Sequence, residues 1–169
     1  SAAFWVVGAL LAPGSQLAGA GVGLNPTRIG FIDVLRRMGG RIDLAPEPGQ
    51  GEPWGRITAR FSPLHGVDVE AHEIPALIDE VPILALAATQ AEGPSRFRGL
   101  AELRHKESDR LAAVVELLTA LGGEARAEGD DLLVRGPGPL RGARVLSHGD
   151  HRIAMTALIA GLISQGEVI

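Results

Sequence analysis

Asn25-Pro26-Thr27-Arg28-Ile29-Gly30-Phe31-Ile32-Asp33-Val34-Leu35-Arg36-Arg37-Met38-Gly39-Gly40 is the stretch from which the architecture is read. Asparagine followed by proline predicts an N-cap and a first helical position, where a missing N–H costs nothing. Apolar residues then recur at Phe31, Val34, Leu35 and Met38, the stripe of a helix with one buried face. Gly39-Gly40 predicts its C-terminal stop. The same design returns further along, where Leu111, Val114, Val115, Leu118 and Leu121 form a longer stripe closed by Gly122-Gly123.

Working outward from these two helices, three more are expected. The first covers residues 2–12, with Ser1 as a possible N-cap and Pro13-Gly14 as its stop. The next, over residues 82–90, is apolar and alanine-rich, hence buried on most sides. The last starts after Asp150 and runs through Ile153, Met155, Leu158, Ile159 and Leu162, with Ala and Gly permitting close packing. Strand-like pieces lie between them at 16–22, 41–44, 56–61, 67–70, 95–98, 124–127, 131–134 and 144–146. Turn dipeptides in Pro46-Glu47-Pro48-Gly49 and Gly136-Pro137-Gly138-Pro139 suit a mixed sheet.

The order repeats. Helix, glycine turn, strand, polar loop, helix, Gly-Gly and paired strands run from residue 2 to 70 and again from 81 to about 146, and a third copy begins at His151. Pro13-Gly14, Glu92-Gly93 and Gln165-Gly166 correspond as helix ends. Such repetition means similar supersecondary units packing their helices around a shared core. The expected fold is therefore α/β, with helices inside and short sheets outside. A plain doubly wound sheet is the alternative, and the paired strands after each Gly-Gly argue against it.

Composition bounds the function. The 169 residues include no Cys and no Tyr, with 46% apolar and 21% charged residues. That balance belongs to a soluble globular chain, and the absence of cysteine excludes a disulfide framework, a thiolate nucleophile and a Cys-based zinc site. A net charge of −4 gives no electrostatic footprint for nucleic acid. Stretches 2–12 and 81–88 fall well short of the roughly 20 apolar residues that span a bilayer. Both ends fall within structured patterns, so the chain reads as part of a longer protein, and it need not hold a whole active site.

Charge placement supplies the chemistry. Helix N-termini carry partial positive charge, so cations belong elsewhere. Yet one helix is entered through Arg104-His105-Lys106-Glu107-Ser108-Asp109-Arg110 and another through His148-Gly149-Asp150-His151-Arg152. Taken singly, Arg104, Lys106 and Arg110 would pair with Glu102, Glu107 and Asp109 on a solvated face. Two such starts at equivalent points of repeated units point instead to a trap for phosphate or carboxylate. Asp79-Glu80, before Pro82, has two readings: an ordinary N-cap, or a carboxylate beside the cations that accepts a substrate hydroxyl proton. His65 and His72 read as surface residues, and no ligand spacing suggests a metal site. Gly19-Ala20-Gly21-Val22-Gly23 is followed by no Lys-Ser/Thr, so it reads as a turn rather than a phosphate loop.

Leu24-Asn25-Pro26-Thr27-Arg28, Leu77-Ile78-Asp79-Glu80-Val81-Pro82, Glu102-Leu103-Arg104-His105-Lys106-Glu107-Ser108-Asp109-Arg110 and Gly149-Asp150-His151-Arg152-Ile153-Ala154-Met155 come in that order. Together they closely resemble the C-terminal half of the 5-enolpyruvylshikimate-3-phosphate synthase family (3-phosphoshikimate 1-carboxyvinyltransferases), over essentially the whole chain. His105 departs from the aliphatic residue more usual there. The resemblance implies two domains, each an inside-out α/β barrel of three βαβαββ-type units, with the active site in the cleft between them. These 169 residues would then be a partial C-terminal domain of two units and the start of a third. It implies transfer of the enolpyruvyl group of phosphoenolpyruvate to the 5-hydroxyl of shikimate 3-phosphate with release of phosphate, in aromatic amino acid biosynthesis. It further implies no metal or organic cofactor, a cytoplasmic location and a monomer when full length, with no nucleic-acid or membrane partner.

Carried over by motif, Asp79 contacts the shikimate 5-hydroxyl and helps remove its proton. Lys106 lies near that hydroxyl and the phosphoenolpyruvate. Glu107 gives and takes the proton at the methylene carbon. Arg110 and Arg152 bind the phosphoenolpyruvate carboxylate and phosphate with His151 beside them, and Glu102 sits where the family often places a shikimate contact. Two alternatives stand beside this: the sister transferase acting on UDP-N-acetylglucosamine, and a non-catalytic anion-binding repeat domain in which Asp79 and Glu107 only cap helices.

Overall fold

In the computed structural model, which describes residues 2–49 and 51–169, the two Gly-Gly pairs end their helices identically. Helix α2 (Gly30–Arg37) closes with Gly39 N–H on the Arg36 carbonyl at 2.9 Å and Gly40 N–H on the Leu35 carbonyl at 2.8 Å. Helix α4 (Arg110–Ala120) closes with Gly122 N–H on Thr119 at 3.0 Å and Gly123 N–H on Leu118 at 2.8 Å. Both are Schellman motifs, and both need a left-handed residue after the helix: Gly39 at φ 93° and Gly122 at φ 86°.

Around these helices each unit has the same plan. The first runs α1 (Ala3–Leu11), β1 (Gln16–Gly23), α2, β2 (Arg41–Pro46) and β3 (Trp54–Arg60). The second runs α3 (Val81–Thr89), β5 (Gly93–Phe97), α4, β6 (Glu124–Glu128) and β7 (Asp131–Gly136), preceded by the short β4 (Asp68–Val69). One sheet has the order β1-β3-β2 and the other β4-β5-β7-β6. In each, the last strand of the unit lies in the middle, antiparallel to both neighbours, while β4 joins β5 in parallel. Helix α5 (His151–Gly161) stands where α1 and α3 stand, as the first element of a third unit, whereas α4 answers to α2, so the two cation-rich helix starts are not at equivalent points of the repeat as expected.

The helices are inside. Every residue of α3 is buried, as are all of α1 except Trp5, which is why both lack a polar face. α1, α3 and α5 pack on one another. Gly8 lets α1 approach α5 closely: a Cβ there would already touch Leu162 and Ile159, at 3.5 and 3.6 Å. Each fully buried side chain of this core, such as Phe97, Leu10 or Ile83, contributes about 1.5–3 kcal/mol relative to exposure.

Three local expectations are corrected. Pro26 does not open α2, which begins at Gly30. Asn25 instead closes a tight turn, its Oδ1 accepting the Thr27 amide at 3.0 Å, so the asparagine's own local hydrogen bond outcompetes helix capping. Residues 144–146 form no strand, although Val145 N–H reaches the Ile169 carbonyl at 2.8 Å and Ile169 N–H reaches Ala143 at 3.0 Å. The glycine run 19–23 lies in β1, not in a turn, and its register shifts between Gly19 and Val22 in a bulge with Gly21 at φ 66°. Ser1, read as a cap for α1, lies outside the described residues.

Candidate active site

Three helix starts converge. A 3₁₀ turn, Ile78–Glu80, leads into α3 and carries Asp79. A second, Ala101–His105, and the bend after it lead into α4 and carry Glu102, Lys106, Glu107 and Arg110. The turn at Gly149-Asp150 leads into α5 and carries His151 and Arg152. Capping at these starts is divided in an informative way. Asp109 caps α4 through the Ala112 amide at 3.0 Å, and Asp150 caps α5 through the Arg152 amide at 2.9 Å. Neither Glu107 nor any side chain at the start of α3 makes a capping bond.

Arg110 is the hub. Its side chain is only 1% exposed, and its Nε donates to Asp150 Oδ2 at 2.8 Å. Nη1 donates to Asp79 Oδ1 at 2.9 Å, and Nη2 reaches both Asp150 Oδ1 at 3.3 Å and the Glu107 carboxylate. Burial by itself would lower the guanidinium's pKa. The hydrogen bond to Asp150 and the charges of Asp150, Glu107 and Asp79 outweigh it and hold the group above its ordinary value. Asp150 is the mirror case: burial pushes its carboxyl up, but Arg110, the Arg152 amide and the Ser108 hydroxyl together bring it below the usual range.

The remaining charges attach around this hub. Lys106 Nζ lies 3.1 Å from Glu102 Oε1 and 3.8 Å from Asp79 Oδ1. Arg152 pairs with Glu80 at 3.3 Å and lies 4.0 Å from Asp79 Oδ2, its guanidinium carbon 5.9 Å from the centre of the Phe4 ring. His151 Nδ1 is 3.8 Å from Glu107 Oε1 at the rim. A cleft of about 700 Å³ opens beside the cluster, lined by Asp79, Glu80 and Arg152 together with Asn25, Thr27 and Arg28.

Thus Asp79, Glu102, Lys106, Glu107, Arg110, His151 and Arg152, all named from the sequence, fall into one connected set. Arg104 does not: it turns away to Asp109, Asp130 and the Gly129 carbonyl. His65 and His72 are exposed, and His105 points to solvent. Among the described residues, no group of three or more His, Asp or Glu side chains is arranged to hold a metal ion. Sequence reading missed Asp150 as a partner, together with Glu80, Ser108 and Phe4. An aspartate before a helix has an ordinary explanation as a cap, and nothing local signals a contact with a residue 40 positions away.

Inward helices, outward three-stranded repeats and an ionic cluster at the helix starts define an enolpyruvyl transferase architecture. The enolpyruvyl transferase NikO from Streptomyces tendae superposes with a TM-score of 0.73 at 27% identity, over 97% of this chain and 36% of that one. Within that class the chain belongs to the EPSP synthase (3-phosphoshikimate 1-carboxyvinyltransferase) family, whose model matches residues 1–169. An EPSP synthase structure from Acinetobacter baumannii matches with a TM-score of 0.94 at 37% identity, covering 99% of this chain and 40% of that one. The 3-phosphoshikimate 1-carboxyvinyltransferases of Roseiflexus castenholzii and Acidiphilium cryptum are 53% and 52% identical over 99% of this chain. The chain spans 39% and 38% of the length of those two relatives.

Proposed function

We propose that this chain is the larger part of the C-terminal domain of an enzyme that moves the enolpyruvyl group of phosphoenolpyruvate to the 5-hydroxyl of shikimate 3-phosphate. The observation that carries this is the meeting of Asp79, Lys106, Glu107 and Arg152 around the buried Arg110. In the addition step the 5-oxygen attacks C2 of phosphoenolpyruvate while its proton passes to Asp79, with Lys106 alongside. Glu107 delivers a proton to the methylene carbon, and Arg110 and Arg152 hold the carboxylate and phosphate. In the second step Glu107 takes a proton back from that carbon as the C2–O bond to phosphate breaks. Two carboxylates in different settings divide the acid and base roles, and fixed cations stabilise the charge that builds on the tetrahedral intermediate. His151 flanks the phosphoenolpyruvate, and Glu102 lies at the shikimate side.

The capping pattern favours this over a non-catalytic anion-binding domain. If Asp79 and Glu107 existed to start helices, they would bond to backbone amides; Asp109 caps α4 instead of Glu107, and the N-cap of α3 makes no side-chain capping bond. Among the described residues, five carboxylates (Asp79, Glu80, Glu102, Glu107, Asp150) and three Lys or Arg side chains (Lys106, Arg110, Arg152) make up the cluster, and the two anionic substrates draw on further Lys and Arg from elsewhere in the enzyme. The same reading places the enzyme in the cytoplasm as a monomer, without metal or cofactor.

Glu107→Gln in the full-length enzyme tests the proposal. The expected result is a fall in kcat of about 10²–10⁴-fold with substrate KM values nearly unchanged. Unchanged turnover would refute the catalytic role of Glu107, and turnover with UDP-N-acetylglucosamine in place of shikimate 3-phosphate would favour the sister enzyme.

A further inference from the structure

Among the described residues, Arg110 and Asp150 are the only charged side chains withdrawn from solvent. Asp150 has no exposure, and all its acceptor capacity is committed. Oδ2 accepts from Arg110 Nε at 2.8 Å and Ser108 Oγ at 3.1 Å, and Oδ1 accepts from the Arg152 amide at 2.9 Å and Arg110 Nη2 at 3.3 Å. Asp79 and Glu107 are different. Each is more than two-fifths exposed, and together they hold the terminal Nη1 and Nη2 groups of the same guanidinium.

One guanidinium therefore has an inner edge, Nε and Nη2, docked side-on against a carboxylate withdrawn from solvent, and an outer edge, Nη1 and Nη2, on carboxylates that are themselves half exposed. Separating the inner pair would strand a buried charge, whereas the outer partners can be resolvated as they leave. The same Asp150 carboxylate also fixes the first turn of α5, from which His151 and Arg152 project. A single rigid group thus sets the relative position of two cations that belong to two different helices.

We propose that Asp150 is a positioning residue for the anionic donor substrate: it keeps the terminal nitrogens of Arg110 turned toward the half-exposed Asp79 and Glu107 and registers Arg152 beside them, while the incoming anion displaces Asp79 and Glu107 from Arg110 but not Asp150. This rests on the reading of the site given under Proposed function. Asp150 touches no substrate in this scheme; it acts through Arg110. Release of Asp79 and Glu107 by the anion also frees both carboxylates for proton transfer, so donor binding readies the site for chemistry.

The test uses the full-length enzyme. Asp150→Asn retains an oxygen for the helix cap, since asparagine caps as well as aspartate, while the NH2 in place of Oδ2 removes both the charge and the acceptor for Arg110 Nε. Loss of a charge-assisted contact behind Arg110 should raise KM for phosphoenolpyruvate about 10–100-fold, with KM for shikimate 3-phosphate and kcat each within about three-fold, the signature of lost uniform binding. In an Arg110→Lys background the added Asp150→Asn change should have little further effect on that KM. A purely structural role would lower the amount of active enzyme and leave both KM values alone; that result, or fully multiplicative effects in the double variant, overturns the proposal. Should Asp150→Asn not fold, the wild-type enzyme decides. With arginine ¹⁵N-labelled, the Arg110 Nε–H resonance is expected to stay protected from exchange when phosphoenolpyruvate is added, and onset of rapid exchange would show that Asp150 lets go. A wild-type enzyme that binds phosphoenolpyruvate with protected Arg110 but turns over no shikimate 3-phosphate would refute the functional reading alone.

Discussion

Arg110 shows at the level of one side chain why charge near a helix start was informative. An arginine at the first position of α4 opposes the helix dipole, and full burial would make it worse. Three carboxylates from three elements hold it there. The arrangement has a consequence for acid stability. Asp150 titrates below its unfolded value of about 3.9, so its contribution is complete above that value and disappears as pH falls through the folded one. Urea denaturation should show little change from pH 7 to 5 and a steep loss below about pH 4, with a shallower acid slope in Asp150→Asn. Asp43 and Asp131 are lowered as well, by Arg60 and by the Gly99 amide with Arg96, so some acid sensitivity remains in that variant. Equal slopes in the two proteins would contradict the assignment. At this scale the sequence exposed the cations and Glu107, because a cation at a helix start is anomalous in its own right. It concealed Asp150, because a capping aspartate is not.

Among the secondary-structure elements, starts and stops carried different amounts of local information. Both Gly-Gly stops were legible because the Schellman geometry demands a left-handed residue at one place. The start of α2 was not: Asn25 and Pro26 satisfy the local rules for a helix start, yet spend them on a turn that places Asn25, Thr27 and Arg28 along the cleft. The start of α4 allows a clean separation of cap from charge, since Asp109 both accepts the Ala112 amide and pairs with Arg104 at 3.3 Å. Asp109→Asn should be nearly neutral, and Asp109→Ala should cost about 1 kcal/mol in denaturant unfolding. Equal losses in both would show that the exposed ion pair, not the cap, matters, against the small value of such surface pairs.

Across the whole molecule the open side of the cluster matters most. Asp79, Glu107 and His151 remain about half exposed at its surface. A catalytic cleft that excludes water requires another wall. These 169 residues alone are therefore expected to release no phosphate from phosphoenolpyruvate and shikimate 3-phosphate in a coupled assay, under conditions where the full-length enzyme turns over. Turnover by the isolated chain would show that the cluster needs no second domain.

By itself the sequence determined the periodic helices, the strand pairs and the twofold recurrence of one supersecondary plan, because hydrophobic spacing and glycine stops act over a few residues and survive without knowledge of neighbours. It also marked which side chains were chemically out of place. Only the tertiary structure decided that three separate helix starts share one ionic cluster, that Arg110 is buried and not solvated, and that Asp150 is its counter-ion. Those facts depend on how α3, α4 and α5 pack, and long-range packing sets burial and dielectric, which no local pattern encodes.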